Sequence, residues 1–368
     1  MTTVNGRMVY NDDLVGKKIS VVDEILLLNP NQTPMINLLG FGEKVISTTH
    51  VWYEDEVFAT KSIVTQAATA TDTAIKVADL EAFRDGVVVQ VDEEMMLVTA
   101  IDEATKTLTV KRGYAGSTAA AISADEQIEV LFVEGTEGAE ARNPRYKART
   151  KVENVSQIFD DTVEVSGTSQ SIAQYGVSDL YAYEKAKKQL ELALQLEKAV
   201  INGLKYDNGR VRQMRGIRNF IQTNVATAGG APISVDMLND TAQKIYKNGG
   251  FASGGRYVIV VPAKQKVAIS SLSNDKIRIT QSESSRGQVV DYLQNDFGRF
   301  QIVMNDNLKS DELLFIDANR IAIRPLADRA FFHELMGRTG DRQHGMIVGE
   351  YTLEFRQEKA HARIKGLA

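Results

Sequence analysis

The sequence predicts an α+β fold that carries a small, separate β module near its N-terminal end. Three observations lead there: apolar runs at 257–261 and 313–317, one long apolar-striped segment at 178–204, and a block of short strands at 60–135 set between two extended stretches. With 368 residues, 43% of them hydrophobic, the chain can bury more than one core.

Residues 1–45 are polar and weakly patterned, and read as an N-terminal arm. Ser20 caps a short helix over 21–28, with Asp23 at the third position, and Pro30 and Pro34 stop it. An arm with so little core of its own lies on something else. Residues 45–58 read as an extended strand rich in Val, Ile, Thr and aromatics, ending in Glu54-Asp55-Glu56; a second extended stretch covers 143–165. Between them, strands at 87–91, 95–101, 107–111 and 127–133 are separated by polar or Gly-containing turns. That block holds 6 basic and 13 acidic residues, a charge of −7 that leaves +2 for the rest of the chain. An acidic β module between the limbs of an extended hairpin reads as an insertion domain.

Residues 178–204 form the strongest helix. Ser178 caps it, Asp179 complements the positive helix start, and Gly203 lies near its end. Leu180, Tyr183, Leu190, Leu194, Ile201 and Leu204 make its apolar stripe, and Glu184 pairs with Lys188 on the exposed face. A rod of about 40 Å is expected. Ser234 then caps a helix to about 248, closed by Gly249-Gly250. A buried strand at 257–261 leads into a helix over 262–272. The end is β-dominated, with strands at 301–304, 313–317, 321–324 and 346–356, the last alternating as a half-buried strand does.

Composition narrows the function. A net charge of −5, from 43 basic and 48 acidic residues, is unlike a dedicated nucleic-acid binder. Zero cysteines removes disulfides, thiolate metal sites and cysteine nucleophiles, and the first residues lack the apolar stretch of a signal peptide. The apolar runs are too short to span a bilayer, so a soluble intracellular product is expected. Phosphate-loop, nucleophile-elbow and His-Glu-x-x-His signatures are absent. The loop from Gly249 to Gly255 follows a helix and precedes a strand, the reverse of a phosphate loop, and reads as a helix cap. His50, His333, His344 and His361 share no ligand spacing, and Glu54-Asp55-Glu56 and Asp92-Glu93-Glu94 splay their carboxylates to opposite faces of a strand, so these acids read as solvated. No catalytic, cofactor-binding or metal residue is predicted.

A basic pattern is more informative. In the run from Asn143 to Lys151, Arg145, Lys147, Arg149 and Lys151 occupy every second position, which on a strand builds a one-faced ladder. Such a ladder repels itself unless acids or phosphates oppose it. It is either a solvated edge kept from aggregating or a contact strip; as the latter it is expected to face Glu54 and Glu56 of the same hairpin, or carboxylates of an adjoining subunit. A second cluster, Lys205, Arg210, Arg212, Arg215 and Arg218, follows the long helix and could meet nucleic acid or acidic neighbours.

The order of elements resembles the major capsid proteins of tailed bacteriophages, the Hong Kong 97-type fold. The likeness rests on Thr49-His-Val-Trp-Tyr-Glu-Asp-Glu56, Asn154-Val-Ser-Gln-Ile-Phe159, Val163-Glu-Val-Ser-Gly-Thr168, Tyr175-Gly176 before the helix with Glu184 and Glu197, and the tail from Gly349 to Leu367. Phe83-Arg-Asp-Gly86, Glu94-Met-Met-Leu-Val98 and Thr107-Leu-Thr-Val-Lys-Arg-Gly113 resemble a small β module found in phage structural proteins. The resemblance implies an N-terminal arm (1–45), an E-loop (46–59 and 136–165) carrying the inserted β domain (60–135), a peripheral domain (166–216 and 326–368) with its spine helix at 178–204, and an axial domain (217–325). It implies hexamers and pentamers closing a shell around double-stranded DNA, assembled in the host bacterial cytoplasm, with a separate scaffolding protein, a portal, possible decoration proteins and no membrane. Glu54, Asp55, Glu56, Arg145, Lys147, Arg149 and Lys151 are the expected assembly contacts. The competing readings are an encapsulin-like nanocompartment shell and a hydrolase built from distant residues.

Overall fold

The computed structural model describes residues 33–138, 140–172, 177–251, 255–272, 278–282, 290–337 and 340–368. The helix expected at 21–28 and the Tyr175-Gly176 pair lie outside the described residues, as does part of the loop after Gly249. The chain divides into two compact units, one formed by the residues up to Trp52 with Val152–Ala368, the other by Tyr53–Lys151.

The first described element is helix α1 (Pro34–Leu39). Sequence reasoning has Pro34 stopping a helix; instead it starts one, because a residue of the first turn needs no N–H and proline's fixed φ suits it. Strand β1 (Thr49–Glu54) follows and carries the chain into the second unit.

That unit is a closed barrel. Its strands are β2 (Lys61–Ile63), β3 (Ala74–Lys76), β4 (Val87–Val91), β5 (Glu94–Asp102), β6 (Thr107–Lys111) and β7 (Gln127–Val133), in the order β2-β7-β4-β5-β6-β3, every neighbouring pair antiparallel. The two end strands then join: the Thr65 N–H donates to the Lys76 carbonyl and the Ala78 N–H to the Ile63 carbonyl, both at 2.9 Å, around a Val64–Val77 bridge. Register shifts at Val88/Val89 and Val98/Ala100 mark bulges of the kind that bend a sheet toward closure. Closure removes the exposed edges of an open sheet. Val64, Ile75, Val89, Met96, Leu108 and Ile128 fill the interior.

The chain returns through β8 (Thr150–Val155), which pairs with β1, and continues as β9 (Gln157–Ser166) and a short helix α2 (Gly167–Ser171). Helix α3 (Leu180–Asn202) is the long one, about 35 Å. Its N-cap is Asp179, not Ser178: the Asp179 carboxylate accepts the Ala182 N–H at 3.1 Å. Of the six residues expected in its stripe only Ile201 is fully buried; the inward face carries Tyr181, Leu192, Leu196, Glu197, Val200 and Ile201. Lys188 pairs with Asp161 and Glu191, at 3.0 and 2.9 Å, in place of the expected Glu184. The helix gives way at Gly203, a position that excludes a side chain because a Cβ there would lie 2.4 Å from the Met214 carbonyl oxygen.

Beyond α3 come β10 (Tyr206–Asp207), β11 (Arg212–Gln213), α4 (Ile217–Phe220), β12 (Val225–Thr227), α5 (Val235–Lys247), β13 (Tyr257–Val261) and α6 (Ala263–Ser270). Ser234 caps α5 by accepting the Met237 N–H at 3.2 Å, and Gly249, at φ +79°, turns the chain out of it. Strands β14 (Arg278–Ser282), β15 (Val290–Asn295), β16 (Gly298–Met304), β17 (Leu313–Asp317), β18 (Ile321–Pro325), β19 (Phe332–Leu335), β20 (Arg342–Phe355) and β21 (Ala362–Lys365) complete the unit.

A seven-stranded mixed sheet, β12-β21-β17-β13-β16-β15-β14, forms its centre. Along β13 and β17 alternate side chains feed different cores: Val258, Val260, Leu314 and Ile316 join α3, while Ile259, Val261, Leu313 and Phe315 join α5 and α6. Both faces are covered, which is why these strands read as unbroken apolar runs. Strand β20 pairs with β9 along one part of its length and with β19 and β18 in succession. It is buried from Met346's neighbour Ile347 through Phe355, so its polar residues lie inside rather than in solvent as its alternation suggests.

Candidate assembly surfaces

The predicted basic ladder does not form as a strand. Residues 140–149 run irregularly, and regular pairing begins only at Thr150, the residue before Lys151. Without a backbone ladder, side chains hold this limb to its surroundings within the barrel unit. The Arg145 guanidinium donates to the carbonyls of Ala82 and Phe83, at 3.4 and 3.2 Å, and lies 3.9 Å from the centre of the Phe58 ring. Lys147 reaches Glu81 at 2.5 Å and Glu56 at 3.6 Å, and Glu81 holds its ammonium above the usual lysine range. Arg149 pairs with Asp55 at 3.4 Å, both largely exposed. The structure thus brings Asp55 and Glu56 together with Arg149 and Lys147; Glu54 ends β1 and Lys151 lies in β8. Tyr53, Val57 and Tyr146 on these limbs are 68%, 89% and 84% exposed, large apolar side chains that the subunit itself leaves in water.

Four of the five residues of the second basic cluster engage partners within the subunit, while Arg210 is exposed. Lys205 pairs with Glu153 at 2.9 Å and Arg212 with Glu350 at 2.8 Å. Arg218 grips Glu312 with two hydrogen bonds of 2.5 and 2.6 Å, and Arg215 donates to the Asn219 carbonyl while its guanidinium covers Phe220 at 4.6 Å. Most of these charges therefore organise the subunit and are not spread on a surface for nucleic acid.

What sequence reasoning missed is a set of buried acids. Glu94, expected in solvent, is 3% exposed in the barrel and takes two hydrogen bonds from Arg112, at 2.8 and 2.7 Å, plus the Gly113 and Ala120 N–H groups at 3.1 Å. Burial raises its carboxyl, but Arg112 and the two N–H groups outweigh that and hold it below the usual range. On β20, Glu350 accepts from Ser156 and pairs with Arg212 and Arg329. Glu354 pairs with Arg324 and Arg356 and lies 2.9 Å from His50; against the cost of burial, these partners bring it down to about 2. The available signal was an arginine supply matching the acids, visible only once distant strands are adjacent.

The histidines pack. His50 contacts Glu354, and His333 meets the Tyr181 hydroxyl at 2.8 Å. Buried His361 accepts the Asp317 N–H through Nδ1 at 3.1 Å and faces the Arg356 carbonyl with Nε2; burial lowers it to about 3, so it is neutral. Among the described residues no three His, Cys, Asp or Glu side chains converge on a metal position, and no helix is long and apolar enough to cross a membrane.

Set beside known proteins, the chain aligns with three solved shells over nearly its whole length. The Cyanophage A-1(L) capsid matches at a TM-score of 0.55 and 9% identity, covering 97% of this chain and 98% of that one. The capsid of a native GTA particle matches at 0.51 and 9% identity, with 96% of each chain covered. The capsid of an empty GTA particle matches at 0.50 and 10% identity, covering 99% of this chain and all of that one (100%). At such identities these likenesses establish the fold, which is the Hong Kong 97-type α+β fold of phage capsids. No curated protein matches the sequence. The family model described as SU10 major capsid protein matches residues 3–368. The chain therefore belongs to the SU10 major capsid protein family.

Proposed function

We propose that this capsid protein tiles its icosahedral phage shell as hexamers and pentamers that enclose double-stranded DNA. The observation that carries the reading is the family match over residues 3–368, which takes in both compact units. Within the shell we assign 1–45 to the arm, 46–59 and 136–165 to the E-loop, 60–135 to an inserted domain, 166–216 with 326–368 to the peripheral domain, and 217–325 to the axial domain. The closed barrel supports the inserted domain as a self-contained piece. Its charge of −7 favours the outer surface, away from packaged phosphates, where it bridges capsomers or receives decoration proteins. Asp55, Glu56, Lys147 and Arg149 shape the E-loop, and the exposed Tyr53, Val57 and Tyr146 meet a neighbouring copy. The role is structural rather than catalytic, in the virion, after assembly with a scaffolding protein and portal in the host cytoplasm.

Electron microscopy of the protein expressed with its scaffold tests this. Closed particles of hexamers and pentamers, with 60–135 on the outside, are expected. Monomers alone, or shells that hold protein cargo and never DNA during infection, would overturn it. A luminal barrel would overturn the electrostatic placement.

A further inference from the structure

Side chains from far along the sequence hold helix α1 at both ends: the Arg256 guanidinium donates to the Leu38 carbonyl at 3.4 Å, and Glu197 takes the first turn. Glu197, fully buried on α3, accepts the Met35 N–H at 2.8 Å and the Asn305 side-chain amide at 2.6 Å through Oε1, and the Ile36 N–H at 2.9 Å through Oε2. Met35 and Ile36 belong to the first turn of α1, whose N–H groups no carbonyl of the helix can accept. The residue in the N-cap position, Thr33, makes no side-chain cap, so Glu197 supplies one from elsewhere in the fold. Six residues are too few to hold a helix by themselves. Burial of Met35 and this carboxylate do it instead.

Among the described residues no cation pairs with the carboxylate. The sequence of α1, Pro-Met-Ile-Asn-Leu-Leu, carries no charge. On α3 the adjacent Lys198 is exposed. In the turn after β16, Asp306 gives its carboxylate to the Ala263 N–H at 2.7 Å. Burial outweighs the N–H dipoles and the amide that, among the described residues, compensate the charge, raising the carboxyl above its ordinary value.

We propose that Glu197 is a latch whose ionisation is coupled to the docking of α1. When α1 departs, the carboxyl meets water and returns to its ordinary value near 4.5. The docked form binds the proton more tightly, so docking is strongest in acid and weakens as pH rises from 4.5 through the raised value. The opening constant of α1 should climb by up to about tenfold per pH unit in that window and level off above it.

Hydrogen exchange on the full-length subunit decides the matter, comparing peptides over 34–39 with reference peptides from α5 between pH 4 and 8, corrected for intrinsic exchange. In the wild type, opening of α1 should rise with pH while α5 does not change. Glu197→Gln, which cannot ionise, should give a pH-independent α1, and Glu197→Ala, equally flat with pH, should open α1 about tenfold more than the wild type at pH 4 with α5 unaltered. A wild-type α1 whose opening ignores pH, a Gln variant that follows the wild-type profile, or loss of α5 protection equal to that of α1 would each overturn the proposal. The wild-type series alone suffices should a variant fail to fold.

Discussion

Replacing Glu354 by glutamine should destabilise the unit that contains β20 by about 3 kcal/mol at neutral pH. Glu354 is 2% exposed and sits between Arg324, Arg356 and His50. Its carboxyl falls from 4.5 to about 2 on folding, and at about 1.4 kcal/mol per unit that shift is worth about 3 kcal/mol. The folded value is the depressed one, so the contribution is complete above pH 4.5 and is lost as pH falls toward 2. At pH 3.5 about 2 kcal/mol of it should remain. The partners differ: the Arg324 side chain is 14% exposed and Arg356 56%, so Arg324→Met should cost most of what Glu354→Gln costs and Arg356→Ala much less. Denaturant titrations of unassembled subunit at pH 7, 5 and 3.5 measure this, with a melting shift of roughly 5–10 °C expected at pH 7. Equal stability of variant and wild type at pH 7, or a gap that does not narrow between pH 5 and 3.5, would refute the link between the ion cluster and stability.

His361 is lowered to about 3 from 6.5, so its contribution is present above 6.5 and drains away as pH falls; His361→Gln should flatten the wild-type loss of stability between pH 6.5 and 5, where Glu354 does not titrate. In the barrel, Arg112→Met strands the buried Glu94 and should cost about 3–5 kcal/mol, with hydrogen-exchange protection lost over β4–β6 and kept over β13; equal loss in both places would count against an independent barrel core. Arg149→Glu sets a like charge beside exposed Asp55 and should change subunit stability by less than about 1 kcal/mol while lowering shell yield or salt tolerance; unchanged yield and tolerance would remove the limb from assembly.

Much of the fold is legible in the chain because its causes are local. Strands 87–91, 107–111, 127–133, 257–261 and 313–317 appear with the bounds that their residue pattern and turns predict, and α5 begins at the Ser234 cap. The acidic block also reads correctly as a β-rich stretch, since alternation and turns survive in a short window. The short strands β2 and β3 escape notice because three residues hold too little pattern, and their meaning lies in closing a barrel between partners far apart in sequence.

Tertiary structure alone decides which face of α3 turns inward, because several faces carry leucines and the choice belongs to β9 and β20 packing against Leu192, Leu196 and Val200. It decides, too, that Glu94, Glu197, Glu312, Glu350 and Glu354 are buried: a carboxylate tolerates the interior only where arginines or N–H groups from other elements reach it, as Arg218 and Arg363 reach Glu312. Most of the basic residues after α3 look like a binding surface in one dimension and become partners within the subunit in three. By itself the sequence determined most of the strands, the Ser234 cap, the charge division and the family to which they point; where each charge resides depended on long-range neighbours, because the energy of a charge is set by what surrounds it and not by the residues beside it in the chain.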